Sequence, residues 1–199
     1  MDIYGSYRPV IEGIMNKLAA LIESSGHRES GEKLYEHLIY RIKDDESMRE
    51  KLKAGGFAEN EYNALREMTD AIGLRVVCLF IDDVYECVEL IRALPGCSVI
   101  NEKDYIQNAK PNGYRSYHMI LDVTSEAPDV EGNVPGHFFA EVQLRTIAMD
   151  TWAALEHEMR YKKDISNQKM IEQELRRCAN DLAACDVSMQ TLRKIIRAQ

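Results

Sequence analysis

Polar side chains alternate with apolar ones in two stretches of the sequence, and this spacing can collect chemical groups on one face of a β-sheet. In the stretch FFAEVQLR, alternation places Glu141, Gln143 and Arg145 on the same face of a strand. The same counting in SYHMILDV places Ser116 and His118 together. Two neighbouring strands with polar residues on one face suggest a shared binding site. A solvated face of an antiparallel sheet would give the same pattern, so both interpretations stand at this point.

A pair of carboxylates is the second candidate feature. Asp70 comes just before the apolar stretch GLRVVCLFI, and Arg75 lies near the start of that stretch, where irregular backbone can reach a ligand. Together, Asp70 and Glu141 could hold Mg²⁺, which takes oxygen ligands and usually bridges to phosphates. Taken alone, Asp70 is more typical of a helix or turn cap. The magnesium interpretation therefore depends on the two acidic side chains meeting in the fold.

Basic side chains concentrate between residues 41 and 53, against a formal net charge of −8 for the whole chain. Strand alternation turns Arg41 and Lys43 to the same side of a predicted strand. Acidic neighbours nearly cancel this basic cluster, so ordinary ion pairs on a helix explain it as well. Its members are Arg41, Lys43, Arg49, Lys51 and Lys53.

The segment NAKPNGYRSYH combines turn residues with polar donors and aromatic rings. Its PNG tripeptide predicts a turn, from which Tyr114 would project so that its ring can stack on a base. Lys110 and Arg115 would then meet phosphates, and Asn112 could read a base edge. Packing is the usual role of a single tyrosine, but here the ring is accompanied by several polar donors around one turn.

Composition narrows the possible functions. The chain of 199 residues is 45% hydrophobic, as in ordinary globular proteins, and its charge of −8 would repel duplex DNA. Its apolar runs are too short to cross a membrane and its N-terminus lacks a secretory pattern, so a cytoplasmic location is expected. Five cysteines without a CxxC pair are interpreted as reduced core residues. The sequence has no GxxxxGK phosphate loop, GxGxxG fingerprint or HExxH zinc pair.

Hydrophobic periodicity predicts an α/β fold, in which a sheet is covered by helices at both ends of the chain. Apolar residues from Pro9 to Ser25 recur on one helical face, and Gly26 suits the end of that helix. The polar stretch TSEAPDVEGNVPG predicts a hairpin loop between the last two strands. Strands are predicted at 33–43, 73–81, 97–102, 116–123 and 137–145, and further helices at 44–56, 82–94, 146–161 and over most of 164–198.

Four longer motifs cover roughly residues 40–163: YRIKDDESMREK, DAIGLRVVCLFIDDVYECVELI, EKDYIQNAKPNGYRSYHMIL and AEVQLRTIAMDTWAALEHEMRYKK. In their order and content they resemble the synthetase domain of the RelA/SpoT enzymes, and most closely the single-domain small alarmone synthetases. The resemblance implies a nucleotidyltransferase-like synthetase fold of the α/β (α+β) class, with a mixed sheet of about five strands flanked by helices. One domain, 1–199, is expected, with a core near 34–163, an N-terminal helix at 1–26 and a C-terminal helical extension at 164–199.

The resemblance also implies a reaction, that of a (p)ppGpp synthetase or GTP pyrophosphokinase of the stringent response. Such an enzyme transfers the β,γ-pyrophosphate of ATP to the ribose 3′-hydroxyl of GDP or GTP and releases AMP, with Mg²⁺ as its cofactor. By position in the motifs, Arg41 and Arg75 match the pair that flanks adenine. Lys43, Ser47 and Lys51 match the residues that bind the ATP phosphates.

On the acceptor side, the resemblance implies that Tyr114 stacks on guanine with Asn112 at the edge of the base. Lys110 and His118 match the residues that bind the phosphates of GDP or GTP. Gln143 is also assigned to the acceptor side, next to the catalytic glutamate.

The catalytic residues implied by the resemblance are Asp70, as a Mg²⁺ ligand, and Glu141, near the metal and the 3′-hydroxyl, where it can act as general base. Trp152, Glu156 and His157 also match the family, but their helical spacing favours a structural role.

Two other functions fit the same residues. One is a pyrophosphotransferase that uses adenine nucleotides or tRNA 3′ ends as acceptors, because stacking on Tyr114 tolerates any base. The other is a non-catalytic module that binds guanine nucleotides or RNA, and the retained Asp70 and Glu141 argue against it. The resemblance further implies a homo-oligomer, a homotetramer formed through the terminal helices, with single-stranded RNA or an alarmone as a regulator.

Overall fold

The chain forms a β-sheet with helices on its surface. The structure is a computed structural model that describes residues 2–161 and 167–198. None of the helices in those residues is long and apolar enough to cross a membrane. A short 3₁₀ turn at Gly5–Tyr7 and a π-helical turn at Asn63–Glu67 accompany the main elements. In chain order these are α1 (Arg8–Ser25), β1 (His37–Ile42), α2 (Asp45–Ala54), β2 (Ile72–Cys78), α3 (Ile81–Arg92), β3 (Cys97–Asp104), β4 (Tyr117–Ser125), β5 (Gly136–Thr146), α4 (Ile147–Tyr161) and α5 (Gln168–Arg197).

The strands make one mixed sheet in the order β1-β2-β5-β4-β3. β2 and β5 run parallel, and each of the other neighbouring pairs is antiparallel. The predicted α/β fold with a mixed sheet of about five strands is thereby confirmed. The predicted hairpin is also present, because β4 and β5 follow each other in the chain and pair along their whole length.

Alternation decides which face of the sheet is buried. Phe138, Ala140, Val142 and Leu144 are at most 2% exposed, whereas the residues between them in β5 are only partly buried. α1 and α3 pack on the apolar face and share one hydrophobic core with it. Burial of a leucine or phenylalanine side chain of this kind stabilises the fold by roughly 1.5–3 kcal/mol. The polar row of β5 therefore faces away from the core.

One strand ends earlier than the sequence predicts. β2 stops at Cys78, because the extended Phe80 is the N-cap of α3 and that helix begins at Ile81. Leu79, in the connection, is 50% exposed. The apolar run GLRVVCLFI therefore covers a strand and the entry to a helix, a change of element that hydrophobicity alone does not mark.

The long helix α5 is attached to the rest of the fold by buried hydrogen bonds. Thr146 Oγ1 donates to the Asp186 carboxylate at 2.6 Å, and Trp152 Nε1 donates to the Leu175 carbonyl at 2.8 Å. Burial raises the pKa of Asp186 above its usual value. A helix is therefore present where the C-terminal extension was predicted. The predicted domain limits stay predictions, since residues 162–166 lie outside the described part.

The five cysteines are all free and fall into two groups. Cys78 and Cys87 are buried with their sulfur atoms 3.8 Å apart, and Cys97 is partly buried. Cys178 and Cys185 are exposed on α5. The prediction that the cysteines are core residues is therefore wrong for these two, because the outer face of a surface helix stays in contact with solvent.

Substitution of Gly113 tests how closely α5 packs on the PNG turn. Gly113 has a φ of +96°, and a Cβ there would lie 2.6 Å from the Ala179 Cβ of α5. Gly132 has a similar φ of +83° with nothing within 4 Å of its Cβ position, so it serves as a control. Both Gly→Ala changes should lose about 1–2 kcal/mol through the left-handed backbone. Gly113→Ala should lose about 1–3 kcal/mol more by overpacking, measured by urea unfolding, and equal losses would contradict this packing.

Candidate active site

A cleft of about 620 Å³ opens on the polar side of the sheet. Strands β1, β2 and β5 contribute its floor, and α4 contributes a wall. Most of the residues predicted to act in catalysis or binding line this one cleft. They are Arg41, Lys43, Asp70, Arg75, Tyr114, Glu141 and Gln143.

Strand register explains why residues so distant in the chain meet here. The parallel pairing of β2 with β5 aligns Glu141 with the second residue of β2 and Arg75 with Gln143. The antiparallel pairing of β4 with β5 aligns His118 with Gln143. Directly paired residues point to the same face of a sheet. Arg75, Gln143 and His118 thus form a row across three strands, and Asp70 precedes β2 at the end where Glu141 lies.

Asp70 is held by two lysines. Its Oδ2 atom accepts from Lys43 Nζ at 3.1 Å and from Lys51 Nζ at 2.7 Å. Its Oδ1 atom is buried and has no hydrogen-bond partner among the described residues. A buried carboxylate oxygen without a partner is costly, so this atom is suited to a ligand that is itself positive or a donor. Lys51 joins the site through Asp70, although it does not line the cleft.

Glu141 is bound through both of its oxygen atoms. Oε1 lies 3.1 Å from His118 Nδ1, and Oε2 accepts from Gln143 Nε2 at 2.9 Å. Burial by itself would raise the pKa of Glu141. The hydrogen bonds from His118 and Gln143, together with the charge of Lys51, outweigh burial and lower that pKa below its usual value. Glu141 is therefore an ionised carboxylate, and Lys51 acts on both acidic residues of the site.

The residues fit a divalent cation that shares its ligands with a substrate. In residues 2–161 and 167–198, no group of three or more His, Cys, Asp and Glu side chains could form a complete metal site. Mg²⁺ is usually bound by one or two carboxylates together with substrate phosphates. The unpartnered Oδ1 of Asp70 and the ionised Glu141 match that pattern.

Tyr114 is more enclosed than the sequence predicted. Its ring lies edge-on to His118 and Tyr105, with centroids 5.7 and 6.1 Å away, and tilted to Trp152 at 6.4 Å. Its hydroxyl lies 2.7 Å from His118 Nε2. The ring is partly buried because neighbouring rings pack around it, yet it lines the cleft, and its predicted stacking on a base stays a prediction.

The remaining predicted binding residues Lys110, Asn112 and Ser47 are not among the residues that line the cleft. Lys110 Nζ is 4.8 Å from the centre of the Tyr114 ring. Asn112 Oδ1 accepts from the Tyr114 backbone N–H at 3.1 Å, and its Nδ2 donates to Glu156 at 3.3 Å. Ser47 lies in the first turn of α2, where its backbone N–H donates to Asp44 at 2.8 Å. The binding roles of Lys110, Asn112 and Ser47 stay predictions.

Two functional candidates were not assigned a role from the sequence. Arg145 is only 5% exposed and donates to Tyr114, Gln143 and Asp150. Asp150 Oδ1 lies 3.0 Å from Arg145 Nη1 and 3.2 Å from Arg75 Nη1, so it neutralises both guanidinium groups. Burial, and then the charge of Arg145, lower the pKa of Arg75. Alternation had placed Arg145 in the polar row. It could not place Asp150 next to Arg145, because β5 ends and α4 begins between the two residues.

Helix α4 contributes two further residues to the cleft. Glu156 and His157 line it, where a substrate could reach them, and the structural role that their helical spacing favoured stays a prediction. Trp152 fits that role, since it is 4% exposed and bonds to α5.

Comparisons with known proteins identify the family. A family model described as "Region found in RelA / SpoT proteins" matches residues 40–166. The GTP pyrophosphokinase YwaC of Bacillus subtilis is 36% identical over 159 residues, which are 80% of this chain and 74% of that relative. The crystal structure of small alarmone synthetase 2 from Bacillus subtilis superposes with a TM-score of 0.80 at 33% identity, covering 93% of this chain and 95% of that one. Small alarmone synthetase 1 from Bacillus subtilis, bound to its product pppGpp, gives a TM-score of 0.77 at 29% identity, with 96% and 95% covered.

A mixed sheet that brings paired carboxylates and basic side chains into one cleft is typical of an enzyme that handles nucleotide phosphates. The chain belongs to the RelA/SpoT family. The resemblance found in its motifs is thereby confirmed, while the roles of the individual site residues stay predictions.

Neutralising Asp150 should destabilise the fold, because it would leave Arg75 and Arg145 facing each other. Asp150→Asn should lose about 2 kcal/mol, below the roughly 3–5 kcal/mol of a fully buried pair because Arg75 is partly exposed. The control Asp181→Asn, in an exposed pair with Arg177, should lose less than about 0.5 kcal/mol. Urea unfolding at neutral pH measures both. Equal losses would show that Asp150 is not the counter-charge.

Proposed function

We propose that the protein is a GTP pyrophosphokinase that synthesises (p)ppGpp. It transfers the β,γ-pyrophosphate of ATP to the 3′-hydroxyl of GDP or GTP and releases AMP. The observation that carries this proposal is the cleft that Asp70 and Glu141 share with basic side chains, in a chain of the RelA/SpoT family. The name of YwaC and the pppGpp bound to small alarmone synthetase 1 support the same reaction.

ATP occupies the side of the cleft formed by β1 and β2 in this proposal. Arg41 and Arg75 line that side, and the planar guanidinium groups stack on adenine. Lys43 and Lys51 already sit together on Asp70, and their ammonium groups bind the ATP phosphates. Ser47, one turn before Lys51 on α2, assists them.

The acceptor guanine stacks on Tyr114, with Asn112 at its edge. Two cations lie over the Tyr114 ring: Arg145, which is buried, and Lys110, which is exposed. A base that stacks on the ring therefore displaces Lys110 and not Arg145. The freed ammonium of Lys110 binds the phosphates of GDP or GTP. The motifs assign His118 to the same phosphates, but its two ring nitrogens already contact Glu141 and Tyr114, and these contacts support a role in holding Glu141 instead.

Glu141 acts as the general base. As an ionised carboxylate, it accepts the proton of the 3′-hydroxyl while that oxygen forms a bond to the β-phosphorus of ATP. The bond between the β-phosphorus and the oxygen that bridges it to the α-phosphorus breaks, and AMP leaves with that oxygen. Phosphoryl transfer of this kind depends mainly on in-line positioning and on neutralisation of negative charge. His118 and Gln143 hold the carboxylate in place for this step.

The cofactor of the proposed reaction is Mg²⁺, held by Asp70 and Glu141. Mg²⁺ bound there supplies positive charge to the phosphates. The unpartnered Oδ1 of Asp70 supports this assignment, because it offers a buried oxygen ligand.

The proposal includes the expected assembly and setting of the enzyme. α5 exposes a series of apolar side chains that suits a homotetramer formed through the terminal helices. Regulation by single-stranded RNA or by an alarmone, and a cytoplasmic location, stay predictions. The exposed apolar residues of α5 are Met170, Val187, Met189, Leu192, Ile195 and Ile196.

Pyrophosphate transfer is tested with ATP labelled at the γ-phosphate and separate acceptors. With Mg²⁺ and GDP or GTP, label should appear on the guanosine nucleotide, with one AMP released per product. EDTA should abolish the transfer, because without the cation the two carboxylates and the phosphates repel one another. Label on adenine nucleotides or on tRNA 3′ ends would show that these, and not GDP or GTP, are the acceptors. No transfer to any acceptor would indicate a non-catalytic binding module.

Glu141→Gln should abolish most turnover while guanosine nucleotide still binds. The amide keeps the size of the side chain but accepts no proton, so kcat should fall roughly 10²–10⁴-fold. Calorimetry should find the Kd of GDP changed by less than about threefold, because the proposed contacts of Tyr114 and Asn112 to guanine remain. The matched control Glu174→Gln, on an exposed part of α5, should be as active as the unmodified enzyme. A Glu141→Gln enzyme with unchanged kcat would refute the assignment of Glu141 as general base.

A further inference from the structure

Arg145 is a permanently charged side chain that the proposed reaction does not use directly. It lies on the polar side of β5, is 5% exposed and donates to four acceptors. Because an arginine only donates hydrogen bonds, the direction of each contact is fixed. The acceptors are Ser116 Oγ at 3.3 Å, Asp150 Oδ1 at 3.0 Å, Gln143 Oε1 at 2.8 Å and the Tyr114 hydroxyl at 2.6 Å.

One hydrogen-bond chain runs from Arg145 through Gln143 to Glu141. The guanidinium donates to Gln143 Oε1, so the amide nitrogen of Gln143 must point the other way. That nitrogen donates to Glu141 Oε2 at 2.9 Å. Arg145 thus selects the amide orientation that holds one oxygen of the general base.

A second chain runs from Arg145 through Tyr114 and His118 to the same carboxylate. The Tyr114 oxygen accepts from Arg145, so its own proton is directed to His118 Nε2 at 2.7 Å. The proton of the imidazole is then on Nδ1, which lies 3.1 Å from Glu141 Oε1. The two chains together reach both oxygen atoms of Glu141.

We propose that Arg145 is a positioning residue: through these two chains it fixes both carboxylate oxygens of Glu141 and the Nδ1-protonated tautomer of His118. The proposal rests on the proposed function, in which Glu141 must face the 3′-hydroxyl. Asp150 makes the arrangement stable, because a buried guanidinium needs a counter-charge. A lysine would keep the charge, but as a compact donor it would not serve acceptors on several sides at once.

The first test is Arg145→Gln, measured by kcat and by the Kd of GDP. Loss of positioning should lower kcat on the order of 100-fold. The Kd of GDP should change far less, because the Tyr114 ring remains. The matched control is Arg92→Gln, which breaks the hydrogen bond of an arginine to Tyr117, on the opposite face of β4, and should leave kcat unchanged. A folded Arg145→Gln enzyme with unchanged kcat would overturn the proposal.

A double-mutant cycle separates positioning from a general structural role. Tyr114→Phe removes only the second chain and keeps the ring, so kcat should fall about tenfold. When it is combined with Arg145→Gln, it should lower kcat by no more than about a further twofold, since loss of Arg145 has already removed the first hydrogen bond of that chain. A double mutant slowed by the product of the two single effects, roughly 1000-fold, would mean that the residues act independently and would contradict the proposal.

The tautomer of His118 is a readout that needs no variant at Arg145, should Arg145→Gln fail to fold. ¹⁵N NMR of histidine-labelled protein, with His118→Gln used for assignment, should find the proton on Nδ1 and none on Nε2 at neutral pH. A proton on Nε2 would overturn the proposal. Failure of the proposed function would instead be seen in the unmodified enzyme, as absence of transfer to GDP or GTP, whatever the tautomer.

Discussion

The parallel pairing of β2 with β5 is the contact on which the proposed active site depends. In the chain, these strands are separated by a helix and two other strands, yet their register sets the start of β2 beside Glu141. The pairing thereby brings Asp70 and Lys43 into one cleft with Glu141. A slip of one residue would turn Glu141 into the core and Val142 out of it. The apolar face of β5 therefore fixes the position of the chemistry as well as the core.

Charge in the cleft is arranged before any substrate arrives. The chain has a net charge of −8, but in and next to this cleft arginines and lysines are held by carboxylates. Asp150 neutralises Arg75 and Arg145, and Asp70 gathers Lys43 and Lys51. Partly buried charges are tolerated when they are paired, so these ion pairs keep the cations in position. Groups fixed in advance need little reorganisation during the reaction, which is how electrostatic catalysis gains most.

Much of this architecture could be predicted from the sequence, and the remainder follows from packing between distant segments. Alternation in β4 and β5 identified the buried and polar faces, because one side of each strand is in the core. The motifs led to Asp70 and Glu141, which do meet in the cleft. Periodicity could not reveal that β2 pairs with β5. It also could not predict that Arg145 bonds to Tyr114, since that contact joins two segments 31 residues apart in the chain. The prediction of a core position was wrong for Cys185, because hydrophobicity alone does not show which side of α5 is in contact with solvent.

The proposed reaction depends above all on Asp70 and Glu141 binding one divalent cation beside the nucleotide phosphates. This binding is tested most directly by a crystal structure with Mn²⁺ and a non-hydrolysable ATP analogue, in which anomalous scattering locates the metal. We expect a single strong peak within coordination distance of Asp70 Oδ1, a Glu141 oxygen and the phosphates of the analogue. A metal bound to the phosphates alone, beyond coordination distance of Asp70 and Glu141, would contradict it.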